Sequence, residues 1–374
     1  MNTHGQTICL TMIVKDEAKV ILRCLKSVKD IVDYYYISDT GSTDGTPEII
    51  EQYLKENNLK GEVDHHEWVN FGTNRTLALD ACRDKCDYQL TLDADEVFVN
   101  STNPDEPAKI TEYLDRVIYH VPCRMGGMTY KRNQLWKSAA GVYWGGVCHE
   151  FIAVKPGLPT TYGMISSITN TPIQDGARSQ DPNKFAKDAV LFEEYLKKNP
   201  KCARSWFYLG QCYADSGQAE KGIQPMLNAA KYTGWDEERF MAYYRAGMYA
   251  KNSRNDESFI PYLIKAYETR PQRAEALYLL IRYGRETDRW KFSELFCEKA
   301  LDIKLPENDV LFVENYIYDW GLLDEISIAY YWLGRYKESY DICLRLLDSG
   351  KVPDHQVSRV RDNANYAKEK LGIS

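Results

Sequence analysis

The second half of this chain repeats itself, and that constrains its fold more than any other feature. Trp206, Leu209, Gly210 and Tyr213 stand at the spacing W-x2-L-G-x2-Y, and Ala229 follows where a partner helix needs a small residue. Tyr243, Ala246, Gly247 and Ala266, closed by Pro271, fit a second unit, and Leu277 lies 34 positions beyond Tyr243. A period near 34 residues is one helical hairpin per repeat. Such a hairpin cannot bury its apolar face alone, so the units must stack into a solenoid. A later copy reads Tyr330, Gly334, Arg335, Tyr336 and Glu338, while residues 303–322 disturb the spacing and predict an insertion. Val357 to Leu371 predicts a polar-faced capping helix.

At 374 residues the chain exceeds one ordinary domain, so the repeats need not account for all of it. Hydrophobic residues make up 44% and charged residues 27%, the proportions of a folded chain throughout. A formal net charge of −7 gives no general attraction to nucleic acid or anionic membranes. The longest early apolar run, Ile8 to Val14, is far shorter than a membrane helix and has no basic leader before it. The ten cysteines include no CxxC pair, so a structural zinc site is not expected. Reduced thiols and a cytoplasmic location are the expectation, and the acceptor patterns at Asn74 and Asn100 carry little weight.

The first half alternates β-branched runs with amphipathic stretches, the pattern of an α/β sheet. Strands are predicted at Ile8–Val14, Tyr35–Ser38, Val63–His66 and Tyr88–Leu92, with helices between them. From about residue 117 glycine-broken strands follow. The stretch from Pro156 to Asp181 is rich in Pro, Gly, Thr and Ser and reads as a linker. The domain boundary is placed between 178 and 179.

Asp93-Ala94-Asp95 closes the fourth strand. In an open α/β sheet, ligands bind beyond the carboxyl ends of the strands. Paired carboxylates there suit Mg2+ or Mn2+ together with substrate phosphates. Alone this motif is more often a solvated turn, but Asp39 and Lys15-Asp16-Glu17 also end strands. The set resembles the inverting family 2 glycosyltransferases of GT-A fold. The resemblance rests on Leu10 to Glu17, Ser38 to Thr46, Phe71 with Arg75, Leu92 to Glu96, and His149-Glu150. The branch it resembles most joins that domain to tetratricopeptide repeats, which the second half shows independently.

The resemblance implies a Rossmann-like nucleotide-sugar-binding domain over 1–178 and a tetratricopeptide-repeat helical domain over 179–374. Ile13, Lys15 and Asp39 would hold the base and ribose of a nucleotide sugar such as a UDP-sugar, with Glu17 nearby. Arg75 would meet the base or diphosphate, and Asp93 the ribose and the metal shell. Asp95 would ligate a divalent cation, Mn2+ or Mg2+. Asp16 and Asn70 depart from the residues common there, Asn and an acid. His149 can complete the metal site, and Glu150 is the candidate base, with Glu96 as its rival. Trp136 and Trp144 could stack on a sugar, although core packing is the commoner role. The repeats would place a protein, peptide or glycan acceptor or join two subunits. The rival reading is a catalytically silent adaptor. A nucleotidyltransferase would want a Gly-rich phosphate loop after the first strand, and Lys15-Asp16-Glu17-Ala18 is none.

Overall fold

The fold is described from a computed structural model covering residues 4–125, 128–158, 160–254 and 256–373. The chain forms two compact units, Met1–Leu191 and Phe192–Ser374.

The first unit opens β1 (Ile8–Val14), α1 (Ile21–Ser27), β2 (Tyr34–Asp39), α2 (Thr46–Glu56), β3 (Gly61–His65), α3 (Phe71–Ala81) and β4 (Tyr88–Thr91). It continues with β5 (Glu96–Asn100), β6 (Ile118–Met125), β7 (Met128–Lys137), β8 (Val142–Gly145), β9 (Phe151–Val154), β10 (Tyr162–Met164) and β11 (Ile168–Pro172). The main sheet runs β3-β2-β1-β4-β7-β6-β11-β5, β10 pairs with β6, and β8-β9 form a separate ribbon. β1 is apolar at nearly every position because both of its faces are covered. It runs parallel to β2, with Val14 opposite Asp39, and to β4, with Thr11 opposite Thr91. The carboxyl ends of three strands therefore reach one edge, and the chain reverses its strand order beside β1. That is where an open sheet makes a crevice.

The stretch expected as a linker is part of this sheet. β11 pairs antiparallel with β5 and parallel with β6, so its turn-forming residues mark tight connections between short strands. β5 begins at Glu96, inside the acidic motif, where a turn-like composition hides the start of a strand.

Helix α4 (Lys184–Lys198) contains the division between Leu191 and Phe192, beyond the 178/179 boundary expected from composition. The second unit is helical throughout: α5 (Ala203–Asp215) with α6 (Ala219–Tyr232), α7 (Asp236–Ser253) with α8 (Ile260–Thr269), and α9 (Glu275–Glu286) with α10 (Trp290–Ala300). A π-helical turn, Ile317–Gly321, then leads into α11 (Leu322–Trp332), α12 (Tyr336–Asp348) and α13 (Asp354–Leu371). Gly210, Gly247 and Gly284 stand where the two helices of each hairpin touch, and they recur every 37 positions rather than 34. The predicted insertion is the loop before α11, which packs back onto earlier repeats: Glu237 accepts the Val310 and Leu311 amides at 2.8 and 2.9 Å, and Asp309 pairs with Arg270. Val360, Ala364 and Ala367 bury one face of α13, the capping helix. Among the described residues no helix is long and apolar enough to cross a membrane.

Candidate functional site

The loop after β2 is organised by the acids expected to meet a nucleotide. Asp39 is buried, and its carboxylate accepts the amides of Gly41 at 3.0 Å and Ser42 at 3.1 Å and meets His65 Nδ1 at 3.3 Å. Burial opposes its charge, but these donors outweigh burial and hold its pKa below the ordinary value. Asp16 adopts a left-handed backbone, φ 56°, and accepts the Thr43 amide at 2.7 Å. Asn and Asp are the non-glycine residues that tolerate that conformation best. Ile13 lies half-buried in β1 opposite Ser38, and Lys15 is exposed just beyond the strand.

Helix α3 delivers Arg75. Asn70 caps it, its Oδ1 accepting the Thr73 amide at 2.9 Å, a role an acid would also fill. Gly72 lets the helix start press against the turn after β8, where a Cβ would fall 2.0 Å from the Gly146 carbonyl. Arg75, 10% exposed, donates from Nε to Glu150 at 2.6 Å and from Nη2 to Asp93 at 2.5 Å, and it lies over Trp144. Arg132, on β7, reaches Asp93 Oδ2 at 3.2 Å and also pairs with Glu96. Both oxygens of Asp93 are thus held by arginines. Burial alone would raise its pKa, but Arg75 and Arg132 drive it well below the carboxylate range. Glu96 is raised by burial and by Asp93 despite Arg132, and it also accepts the Asp93 amide at 3.0 Å.

Sequence reasoning missed Arg132. Its signal is the alternation Arg132, Gln134, Trp136 on one face of β7, a polar row leading into two fully buried residues. Trp136 is core: it packs edge-on against Trp144 and donates its indole N–H to Gln89 at 3.1 Å.

Glu17 and Asp95 form a different pair. A Cβ placed on buried Gly176 would lie 3.0 Å from Glu17 Oε2 and 3.1 Å from Asp95 Oδ2, so both carboxylates converge on one point. The Gly176 amide and the Ser179 hydroxyl donate to Asp95 at 3.4 and 3.5 Å, and the Ala177 amide donates to Glu17 at 3.2 Å. Burial, with Asp95, Asp44 and Asp93 adding to it against the Ala177 amide, lifts Glu17 to about 7. Burial and Asp93 raise Asp95. Two crowded carboxylates are the oxygen ligands that suit a hard divalent cation, and such a cation would offset the charge that raises both.

The segment 175–179, which covers Glu17 and Asp95 with these donors, is pinned at each end. Asp175 makes a bidentate pair with Arg23 at 2.6 and 2.8 Å. Arg178 lies 4.4 Å over the Phe71 ring, donates to Asp188 at 2.6 Å and reaches Cys148 Sγ at 3.6 Å. His149, at φ 49°, stands with these last two: Cys148, His149 and Asp188 place ligand atoms within 4.8 Å of one another, the one such trio of Cys, His and carboxylate groups among the described residues. Arg178 already supplies this cluster with a cation.

Residues 9–142 match the family described as glycosyl transferase family 2. A TPR repeat-containing protein of Synechococcus elongatus is 40% identical over 93 residues, 25% of this chain and 21% of that protein. An uncharacterized glycosyltransferase of Rickettsia felis is 35% identical over 91 residues, 24% of this chain and 29% of that protein. The chain thus spans less than a third of either relative. Among solved structures, MamA aligns over 51% of this chain and 90% of its own at 17% identity and TM-score 0.33. YrrB, a TPR protein described as having an unusual peptide-binding site, aligns over 49% and 85% at 13% identity and TM-score 0.38. Residues 9–142 thus form a glycosyl transferase family 2 domain, and the helical hairpins that follow it in the chain are its tetratricopeptide repeats.

Proposed function

We propose that the protein is a metal-dependent inverting glycosyltransferase that moves a sugar from a UDP-sugar to an acceptor brought by the repeats. The single observation that carries this reading is the convergence of Glu17 and Asp95 beside the β1 and β4 carboxyl ends, next to an Arg75–Glu150 pair. A divalent cation held by Asp95 and Glu17 would offset charge on the departing diphosphate. Ile13, Lys15 and the Asp39 loop border the nucleoside position, and Arg75 and Arg132 hold Asp93 in place for the ribose. His149, next to Glu150, would complete the metal site begun by Asp95. In the transfer the acceptor oxygen attacks the anomeric carbon, the bond from that carbon to the diphosphate oxygen breaks, and the acceptor proton passes to Glu150. Arg75 binds Glu150 Oε1, so Oε2 is the oxygen that takes the proton. Glu96 is the weaker candidate because Arg132 and the Asp93 amide hold it.

The test is calorimetric titration of UDP with and without Mn2+ for wild type and Asp95→Ala. Metal-dependent binding lost in the variant supports the reading, and equal affinity in all four combinations sinks the metal assignment. The silent-adaptor reading draws on the same arginines, which occupy Asp93, Glu96 and Glu150 together. Release of UDP from a panel of UDP-sugars, abolished by Glu150→Gln, decides against it.

A further inference from the structure

Within the helical unit, α9, α11 and the capping helix α13, with the start of α10, line an open groove of about 610 Å³. That is the size of a ligand pocket. Its charges cancel. Arg285 of α9 makes a bidentate pair with Glu325 of α11 at 2.6 and 3.0 Å. Asp324, the neighbouring residue, makes another with Arg359 of α13 at 2.9 and 3.1 Å. Each pair spans two helices, so the polar floor is fixed before any ligand arrives. Arg282 and Asp288 complete three cations against three acids.

Three Trp residues and a Tyr share the wall. Trp290 and Trp332 stack at 5.4 Å and 13°, and Trp332 is 60% exposed. On α13, Gln356 and Asn363 add neutral amide groups to the lining.

We infer that this groove binds a neutral saccharide. An anionic ligand would need surplus cations, and here every arginine is matched by an acid. An apolar ligand would strip water from the paired Arg and carboxylate groups and replace none of its hydrogen bonds. Sugar hydroxyls donate and accept at once, as fixed Arg–carboxylate pairs require, and the C–H faces of a pyranose lie flat on indole. As a saccharide site the groove stands on its own chemistry. As the acceptor site of the transfer it rests on the function proposed above.

The full chain is applied to an array of neutral oligosaccharides and to an array of unmodified peptides, and bound glycans are then titrated by tryptophan fluorescence. Glycan binding by wild type is expected, weakened roughly tenfold or more in Trp332→Ala and partly restored in Trp332→Phe, with unchanged melting. Binding of no glycan, equal binding by wild type and Trp332→Ala, or binding of peptides alone overturns the proposal. UDP titration of the same samples separates the two readings. Glycan bound without UDP keeps this site and removes the transfer, and UDP bound without glycan does the reverse.

Discussion

Arg75 donates to Glu150 at 2.6 Å and to Asp93 at 2.5 Å, so one guanidinium ties the β4 end to the turn after β8. Arg75→Met removes that tie and leaves two partly buried carboxylates short of a cation. We expect a loss of about 3 kcal/mol in urea denaturation at pH 7. A loss under about 1 kcal/mol would show that Arg132 alone sustains Asp93.

Glu150→Gln keeps the shape and can still accept from Arg75 through its amide oxygen. Turnover should fall about 10²–10⁴-fold while UDP affinity holds, because the amide cannot take a proton. Steady-state transfer rates and calorimetry check the two halves separately, and an undiminished rate assigns the base elsewhere.

Asp39→Ala should cost stability as well as affinity. Its carboxylate serves the Gly41 and Ser42 amides, and removal of charged hydrogen bonds costs about 1.5–3 kcal/mol. A variant that melts like wild type yet fails to bind UDP would mean that the loop keeps its form without this acid.

Glu17 makes stability depend on pH. Its pKa is raised from 4.5 to about 7, so between those values the folded chain keeps a proton that the unfolded chain has released. Stability contributed by this group is therefore present below 4.5 and declines as pH rises through 7. Urea midpoints measured from pH 4.5 to 8 should fall in wild type and flatten in Glu17→Gln. Cation affinity should run the other way, rising with pH as the proton leaves; a Mn2+ affinity that ignores pH removes Glu17 from the cation site.

Gly176→Ala tests the covering segment. The new Cβ would sit 3.0–3.1 Å from Glu17 and Asp95 oxygens and push both carboxylates aside. Mn2+ affinity should fall roughly tenfold, with the fold intact by circular dichroism. Unaltered affinity would place the cation away from these two acids.

Much of this was legible in the residues. The acids at the ends of β1, β2 and β4 announce the crevice because strand patterns are local, and the helical hairpins show through their recurring small residues. The partners of those acids were not legible. Arg132 meets Asp93 across 39 positions, and Ala177 meets Glu17 across 160, separations at which no local pattern survives. Residues 168–172 read as linker because Thr and Pro in a short strand resemble a turn until β5 and β6 flank them. The 34-residue count likewise missed the 37-residue spacing of Gly210, Gly247 and Gly284, the positions where paired helices touch.

The segment from Asp175 to Ser179 has a consequence for kinetics. Its amides hold Glu17 Oε2 and Asp95 Oδ2, so a cation bound as proposed above would compete with the protein's own backbone for these carboxylates. Association would then be a two-step process, with opening first and capture second. The observed rate should climb with Mn2+–UDP concentration and level off at the opening rate. Loosening either pin, Arg23–Asp175 or Arg178–Asp188, should raise that plateau while leaving the off-rate of the captured ligand unchanged.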